Sequence, residues 1–310
     1  MLPMSIAPAE MLPLRIRFGA DREGEFDAGI PVLAGEAVED LFGATRPAGR
    51  VGALALFQAD RWLLGAGTVP LTAGLESAAH QLYENIFAAS RGQHLARIWN
   101  YVPAINQAGA DGLENYRAFC RGRSLAFEQH HGSDFKARLP AASAVGSKST
   151  ALTVVFAACP VTPRHVENPM QVAAYDYPNE YGPRAPSFAR ATVVSGVDRA
   201  TVFISGTAAI RGHATIAPDS TRLQLECTLE NLGEISRACG IGSDLDHGGS
   251  STRHFKVYLR NAADQPLVAA MLEERLLAGT DHVSYLQADM CRASLLVEIE
   301  ASLFGITAVR

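Results

Sequence analysis

The last apolar stretch of the chain, CRASLLVEIEAS (residues 291–302), carries two carboxylates one residue apart, Glu298 and Glu300. Side chains alternate faces along a strand. Read as a strand, the stretch turns Leu295, Val297 and Ile299 to one side and Leu296, Glu298 and Glu300 to the other. Two readings follow: a sheet with one wet face, or a strand that aims an acid into a pocket. In the second, desolvation raises the carboxyl's pKa and suits it to general-acid chemistry. Arg292 sits beside the same apolar run, where a charge needs a partner. Its even separation from Glu298 puts both on one nominal strand face. Cys291, next to it, is a thiol in an apolar setting, and such thiols usually only pack.

Other constellations carry less. GIGSDLDHGGSS (240–251) has neither GxGxxG nor GK[ST] and precedes a strand, so it reads as a connector rather than a phosphate loop. His130 and His131 are adjacent on a helix, diverge in direction and lack a third partner, so they read as a solvated helix end. Ser205 in SGTA has no GxSxG frame and no marked His/Asp pair, and reads as a strand-end turn. Cys120, Cys159, Cys227, Cys239 and Cys291 form no CxxC pair, which favours reduced thiols over a zinc cluster or disulfide scaffold.

The elements that must position these groups follow from periodicity. Residues 10–60 alternate apolar and polar in short runs punctuated by Gly and Pro, which predicts strands. Helical spacing of Ala78, Leu82, Ile86 and Phe87 predicts a helix over 71–98, with WNYVPAINQ after it as a short strand or loop. DGLENYRAFCRGRSLAFEQ (111–129) predicts a second helix behind an acidic cap. ALTVVFA (151–157) is a buried strand. Residues 160–190 hold many of the prolines, interleaved with Tyr and Arg, and read as a linker or lid. The pattern then renews: strand (200–210), helix (219–240), strand (254–260), helix (262–277) and the closing strand. Parallel strands need a crossover, usually a helix. The expectation is therefore two α+β units side by side, without a convincing sequence repeat.

The 310 residues are 48% hydrophobic and 19% charged, with a net charge of −5. This is the composition of a globular protein with a good core. It offers no basic footprint for nucleic acid and no polybasic membrane patch. No apolar run reaches membrane-spanning length, and the N-terminus does not read as a signal peptide. A cytoplasmic protein is expected.

From FISGTAAI through LQLECTLENLGEISRACG and FKVYLRNAADQPLVAAMLEE to CRASLLVEIEA, order and spacing resemble the RidA (YjgF) fold over roughly 200–305. RIWNYVPAIN (97–106), ENYRAFCRGRSLAF (114–127), YGPRAPSFARA (181–191) and the CR…LLVEIEA close together resemble the chorismatases, from about residue 50 onward. The first ~45 residues carry none of these motifs. The resemblance implies an α+β fold of two RidA/YjgF-like (chorismate-mutase-like) units, each a β-sheet with helices on one face. It implies an N-terminal half over 1–160, a Pro-rich connection over 161–195 and a C-terminal half over 196–310.

It further implies a substrate, chorismate, with two carboxylates and an enol ether, and no metal or cofactor. Arg121, Arg123, Arg184, Arg190 and Arg292 fall in or beside the matching motifs, and arginine's planar fork suits carboxylates. Arg292 is the foremost of these, with Arg123 and Arg184 as further binding residues. Tyr101, Tyr116 and Tyr181 can pack a ring and donate a hydrogen bond. By resemblance the first glutamate of VEIEA, Glu298, protonates the terminal methylene, and Glu300 is a supporting or wet-edge residue. Small residues around the ring, Ala208 and Cys291, bear on the product. Cysteine at this position resembles the branch that forms 3-hydroxybenzoate, alone or with 4-hydroxybenzoate; another branch stops at pyruvate and a dihydroxycyclohexadiene carboxylate. Two halves in one chain imply a cleft built within a monomer. A RidA-like imine or enamine hydrolase is the rival enzyme; Arg292 would serve it, but WNYVPAIN and YGPRAPSFARA would stay unexplained. A non-catalytic binding module is the other rival, and the presence of Glu298 speaks against it.

Overall fold

The computed structural model describes residues 13–18, 24–40 and 42–307. The chain starts with β1 (Pro13–Arg17), β2 (Glu25–Gly35) and β3 (Val38–Glu39). It continues through β4 (Arg46–Val51), β5 (Leu54–Ala59), β6 (Trp62–Pro70), α1 (Gly74–Ala89), β7 (His94–Pro103), α2 (Asn115–His131), β8 (Ala141–Ser147) and β9 (Ala151–Cys159). β10 (Arg164–Val166), β11 (Ala191–Ser195) and β12 (Arg199–Ala208) follow, then a small hairpin, β13 (Ile210–Arg211) and β14 (Ala214–Thr215). The rest is α3 (Thr221–Cys239), β15 (Thr252–Leu259), α4 (Gln265–Arg275), β16 (His282–Gln287) and β17 (Val297–Thr307).

Two large sheets result. The first runs β4-β5-β6-β9-β7-β8, the second β10-β11-β12-β17-β15-β16-β2-β1-β3. Each has a pair of helices on one face, which gives the α+β, two-unit fold. The connectivity is the same in both. A strand (β6 or β12) leads to a helix, then to a strand (β7 or β15), a second helix, a parallel neighbour (β8 or β16) and a final strand (β9 or β17) inserted antiparallel in the middle. The shared winding is invisible in the sequence because packing constrains residue class rather than residue identity.

Alternation along the strands splits the interior into three layers. Ile98, Val102 and Phe156 pack under α1 and α2. Val257, Val297, Ile299 and Leu303 pack under α3 and α4. The opposite faces meet each other: Trp99, Tyr101 and Val155 of the first sheet lie against Phe203, Tyr258 and Leu286 of the second. Ser205 stitches the two, accepting the Ala142 N–H at 2.9 Å and donating to the Ala189 carbonyl at 2.6 Å. With its hydroxyl used at both ends, it has no nucleophilic role.

Several boundaries differ from expectation. The helix placed over 71–98 stops at Ala89, because Ser90 bonds back to the Ile86 carbonyl and Gly92 turns the chain with φ of 80°. Leu95–Ile98 then opens β7, a strand buried on both faces, whose continuous apolar run does not alternate. For the same reason β8 escapes a periodicity reading. Within the half assigned to 1–160, β1–β3 are hydrogen-bonded to the second sheet through β2 and β16. Within the connection assigned to 161–195, β10 and β11 extend that same sheet. α3 fits its expected bounds: Ser220 caps it by accepting the Leu223 N–H, and Gly240 closes it in the left-handed region. No helix among the described residues is long and apolar enough to cross a membrane.

Candidate active site

Glu298 and Glu300 both point into the layer between the sheets, on the face of β17 opposite Val297 and Ile299. The wet-face reading is therefore wrong: the two residues are 3% and 2% exposed. Their environments differ sharply. Glu300 accepts from Arg97 Nη2 at 2.8 Å and Trp99 Nε1 at 2.9 Å, and pairs with Lys256 Nζ at 2.8 Å. Burial alone would raise its pKa, but Lys256 and Arg97 outweigh burial and hold it below the ordinary value. Glu300 is an ionised anchor of the inter-sheet layer. Among the described residues none donates a hydrogen bond to Glu298. Burial pushes its carboxyl up to about 8, and the negative charge of Glu300 pushes the same way, against Arg97 and Arg190. Two carboxylates on one strand face thus hold opposite protonation states near neutral pH.

Glu298 lines a cavity of about 390 Å³, a small-molecule size. Its wall comes from both units: Glu114, Tyr116 and Arg117 at the start of α2; Tyr177, Tyr181, Pro186, Phe188 and Arg190 from the Pro-rich segment; Gly206, Ala208 and Ile210 from β12 and its end; and Cys291–Ser294 from the turn before β17. Gly206 leaves the space that the acid occupies, since a Cβ there would overlap the Glu298 carboxylate. Gly206→Ala is expected to abolish turnover while leaving the melting temperature within a few degrees, checked by parallel activity and thermal melts.

Three arginines line this space, and Arg117 is tied up by Glu114 Oε2 at 3.1 Å. Arg292 stacks over Tyr181 at 4.1 Å and Tyr177 at 5.2 Å. Its Nη1 bonds the His213 carbonyl at 2.8 Å and Thr215 Oγ1 at 3.2 Å, so the β13–β14 hairpin holds it. Its Nη2 is buried without a protein partner. Arg190, 6% exposed, bonds Tyr177 Oη at 2.7 Å, and its Nε lies 3.9 Å from Glu167 Oε2. A buried donor left unpaired costs about 1–3 kcal/mol, so the Arg292 Nη2 is a position where a ligand oxygen would be favoured. Burial pushes the Cys291 thiol up to about 12, aided by Glu298, so it lines the cavity as a neutral group.

Of the expected site residues, Glu298, Arg292, Cys291, Tyr116, Tyr181 and Ala208 come together here. Arg292 does not share a strand face with Glu298, because β17 starts at Val297 and residues 291–294 form a turn. For the same reason Leu295 packs in the inter-sheet layer, away from Val297 and Ile299. Three expected residues lie elsewhere. Tyr101 is within the inter-sheet layer, its hydroxyl 3.3 Å from Lys256 Nζ. Arg123 is buried on α2, its guanidinium 4.8 Å over the Phe119 ring. Arg184 pairs with Glu128 Oε2 at 2.5 Å on the surface. All three fall in the motifs but outside the cavity wall: Tyr101 faces the inter-sheet layer, Arg123 lies two turns beyond Tyr116 on the same face of α2, and Arg184 is held by Glu128. Tyr177, Gly206 and Phe188 are absent from the expected site; of these only Phe188 has a signal, the one it shares with Arg190, its place in YGPRAPSFARA.

A two-unit α+β protein with a buried, high-pKa carboxyl and arginines lining one cavity defines a class: a candidate small-molecule site with an acid and cationic groups in its wall. A family model described as "Chorismatase FkbO/Hyg5-like, N-terminal" matches residues 42–158. A 3-hydroxybenzoate synthase of Streptomyces hygroscopicus is 39% identical over 247 residues, covering 76% of this chain and 72% of that protein. A chorismatase of the same organism is 36% identical over 274 residues, covering 86% and 79%. A chorismatase crystal structure superposes with a TM-score of 0.79 at 31% identity, over 97% of this chain and 95% of that one. The chain belongs to the chorismatase family.

Proposed function

We propose that this protein is a chorismatase that divides chorismate into pyruvate and 3-hydroxybenzoate, formed alone or together with 4-hydroxybenzoate. The observation that carries the reading is a carboxyl held protonated to about pH 8 in a cavity that also presents Arg190 and Arg292, the latter with a buried Nη2 that has no protein partner. Chorismate brings two carboxylates for the arginines and one enol ether for the acid. Glu298 donates its proton to the terminal methylene carbon and the ether becomes an oxocarbenium. The ring C3–O bond breaks as the neighbouring C4 hydroxyl oxygen bonds to C3, which releases pyruvate and the hydroxyl proton that restores Glu298. The C4–O bond of this bridging oxygen then opens, and the ring hydrogen lost on aromatisation balances the proton taken up by the oxygen left on C3, giving 3-hydroxybenzoate; direct loss of the C4 hydrogen, without bridging, would give 4-hydroxybenzoate. Chorismate has the combined composition of pyruvate and hydroxybenzoate, so this division consumes no water. The dihydroxycyclohexadiene route consumes one. The apolar walls provided by Phe188, Ala208, Ile210 and Cys291 support the water-free outcome.

Tyr116, Tyr177 and Tyr181 would pack against the ring, with Arg190 and Arg292 each taking a carboxylate. Arg292→Ala is expected to raise KM at least about tenfold, in line with the loss of one charge-assisted hydrogen bond of about 1.5–3 kcal/mol. Steady-state pyruvate release checks it. The cavity is complete within one chain, which supports a monomer, and the unpaired thiols support a reducing cytoplasmic setting.

The deciding experiment is incubation of the purified protein with chorismate and EDTA, with pyruvate detection and chromatography of the ring products. Pyruvate with 3-hydroxybenzoate is the expected result. A dihydroxydiene would overturn the product and keep the substrate. Absence of pyruvate would overturn the reading and return the imine hydrolase or binding module.

A further inference from the structure

Away from the cavity, at the rim of the second sheet, Glu36, His254 and His282 converge. The placement follows from register. His254 of β15 and His282 of β16 are direct partners on adjacent parallel strands, and their rings stack at 4.3 Å. Glu36 directly follows β2, which pairs with β16, and its Oε1 lies 2.6 Å from His282 Nδ1. One ligating atom from each of the three falls within 4.8 Å of the others. None of the three lines the proposed active site.

From this geometry we infer that the chain carries a divalent transition-metal site, of the zinc class, built by Glu36, His254 and His282. Two imidazoles and a carboxylate are a recognised zinc donor set, with bonds of about 2.0–2.2 Å and a fourth position left to water. Ligand atoms around such an ion stand ~3.4 Å apart, so binding must draw the present cluster inward. The side chains of His282 and Glu36 are each 44% exposed and free to turn, and the rings leave their stack as their nitrogens converge on the ion. One ion would then staple β2, β16 and β15. That staple has a structural use: β2 leads through β3 to Glu39, which pairs with Lys256 at 2.7 Å behind Glu300. The metal would fix the strands that deliver one carboxylate of the buried charge network.

The test is calorimetric titration of EDTA-stripped, desalted protein with Zn²⁺, alongside the visible spectrum after Co²⁺ addition. One saturable equivalent, tetrahedral Co²⁺ bands and a raised melting temperature are expected. His282→Asn and Glu36→Gln, both at exposed positions, are expected to weaken binding at least tenfold. His165→Ala, from the separate histidine group around His94 and His131, is expected to bind like wild type. No saturable binding, or binding lost in His165→Ala and kept in the other two variants, would overturn the assignment. Because the wild-type Co²⁺ spectrum needs no variant, it decides even where a substitution impairs folding.

Discussion

Glu298→Gln is expected to lower the rate of pyruvate release roughly a thousandfold, the scale of a lost general acid, with little change in chorismate affinity. Glutamine keeps the shape of the side chain and has no proton to give. The same variant is expected to be more stable than wild type at alkaline pH. An unfolded glutamate ionises near 4.5, whereas the folded Glu298 keeps its proton to about 8. Between these values the folded state binds more protons than the unfolded one, so wild-type stability falls as pH rises through the window. Glutamine removes that dependence. Its advantage is therefore absent below about pH 4.5, grows through neutrality and reaches roughly 2–5 kcal/mol above pH 8. Thermal melts across pH 4–9 measure it. A variant that is inactive and whose stability advantage over wild type is no larger at pH 8 than at pH 5 would show that the wild-type carboxyl is already ionised, and the acid role would fail.

Glu300→Gln is expected to act on both stability and the pH profile. Arg97 and Lys256 lose a shared carboxylate inside the protein, and uncompensated buried charge of this kind costs about 3–5 kcal/mol. Arg97 also donates to Ser143 at 2.5 Å, and Lys256 keeps Glu39, so part of the network survives. The second effect concerns the acid. Glu300 is one of the influences that raise Glu298, while Arg97 lowers it. Neutralising Glu300 removes the first and leaves burial alone to hold the carboxyl up against Arg97 and Arg190. The alkaline limb of kcat/KM, expected near pH 8 in wild type, moves to lower pH. A merely structural role would lower the amount of folded enzyme without moving the limb. The profile is read well below the melting temperature, on protein shown to be folded.

Which parts of this were legible in the sequence follows from where the physics is local. The alternation in VEIE gave the correct partition of Val297 and Ile299 from Glu298 and Glu300, because it depends on strand geometry alone. It did not reveal that Glu300 is buried, since Arg97, Trp99 and Lys256 come from distant strands that only the fold brings together. Helix α3 was readable from Ser220 to Gly240 because both caps are written in residue type. The end of α1 was not, since Leu95, Ile98 and Val102 continue an apolar pattern across a turn. Arg292 was found through its neighbours, but its route into the cavity was misread, because a turn breaks the strand that the even spacing assumed. Arg123 and Arg184 share motifs with wall residues and lie outside the cavity; spacing within a motif does not fix how far along a helix or loop the cavity reaches.

The repeated winding of the two units has a consequence in symmetry. Glu298 of β17 is paired to Ala208 on one side and Tyr258 on the other. The matching position in the first unit, flanked by Thr68 and Tyr101, is Thr153. The chain is thus a pseudo-dimer in which only one of two quasi-equivalent positions carries an acid. The other closes on itself, with Thr153 Oγ1 2.9 Å from Thr68 Oγ1. Covalent fusion allows this asymmetry: an assembly of identical subunits must repeat every substitution at each equivalent position, whereas a fused pair can specialise one copy for reaction and the other for support.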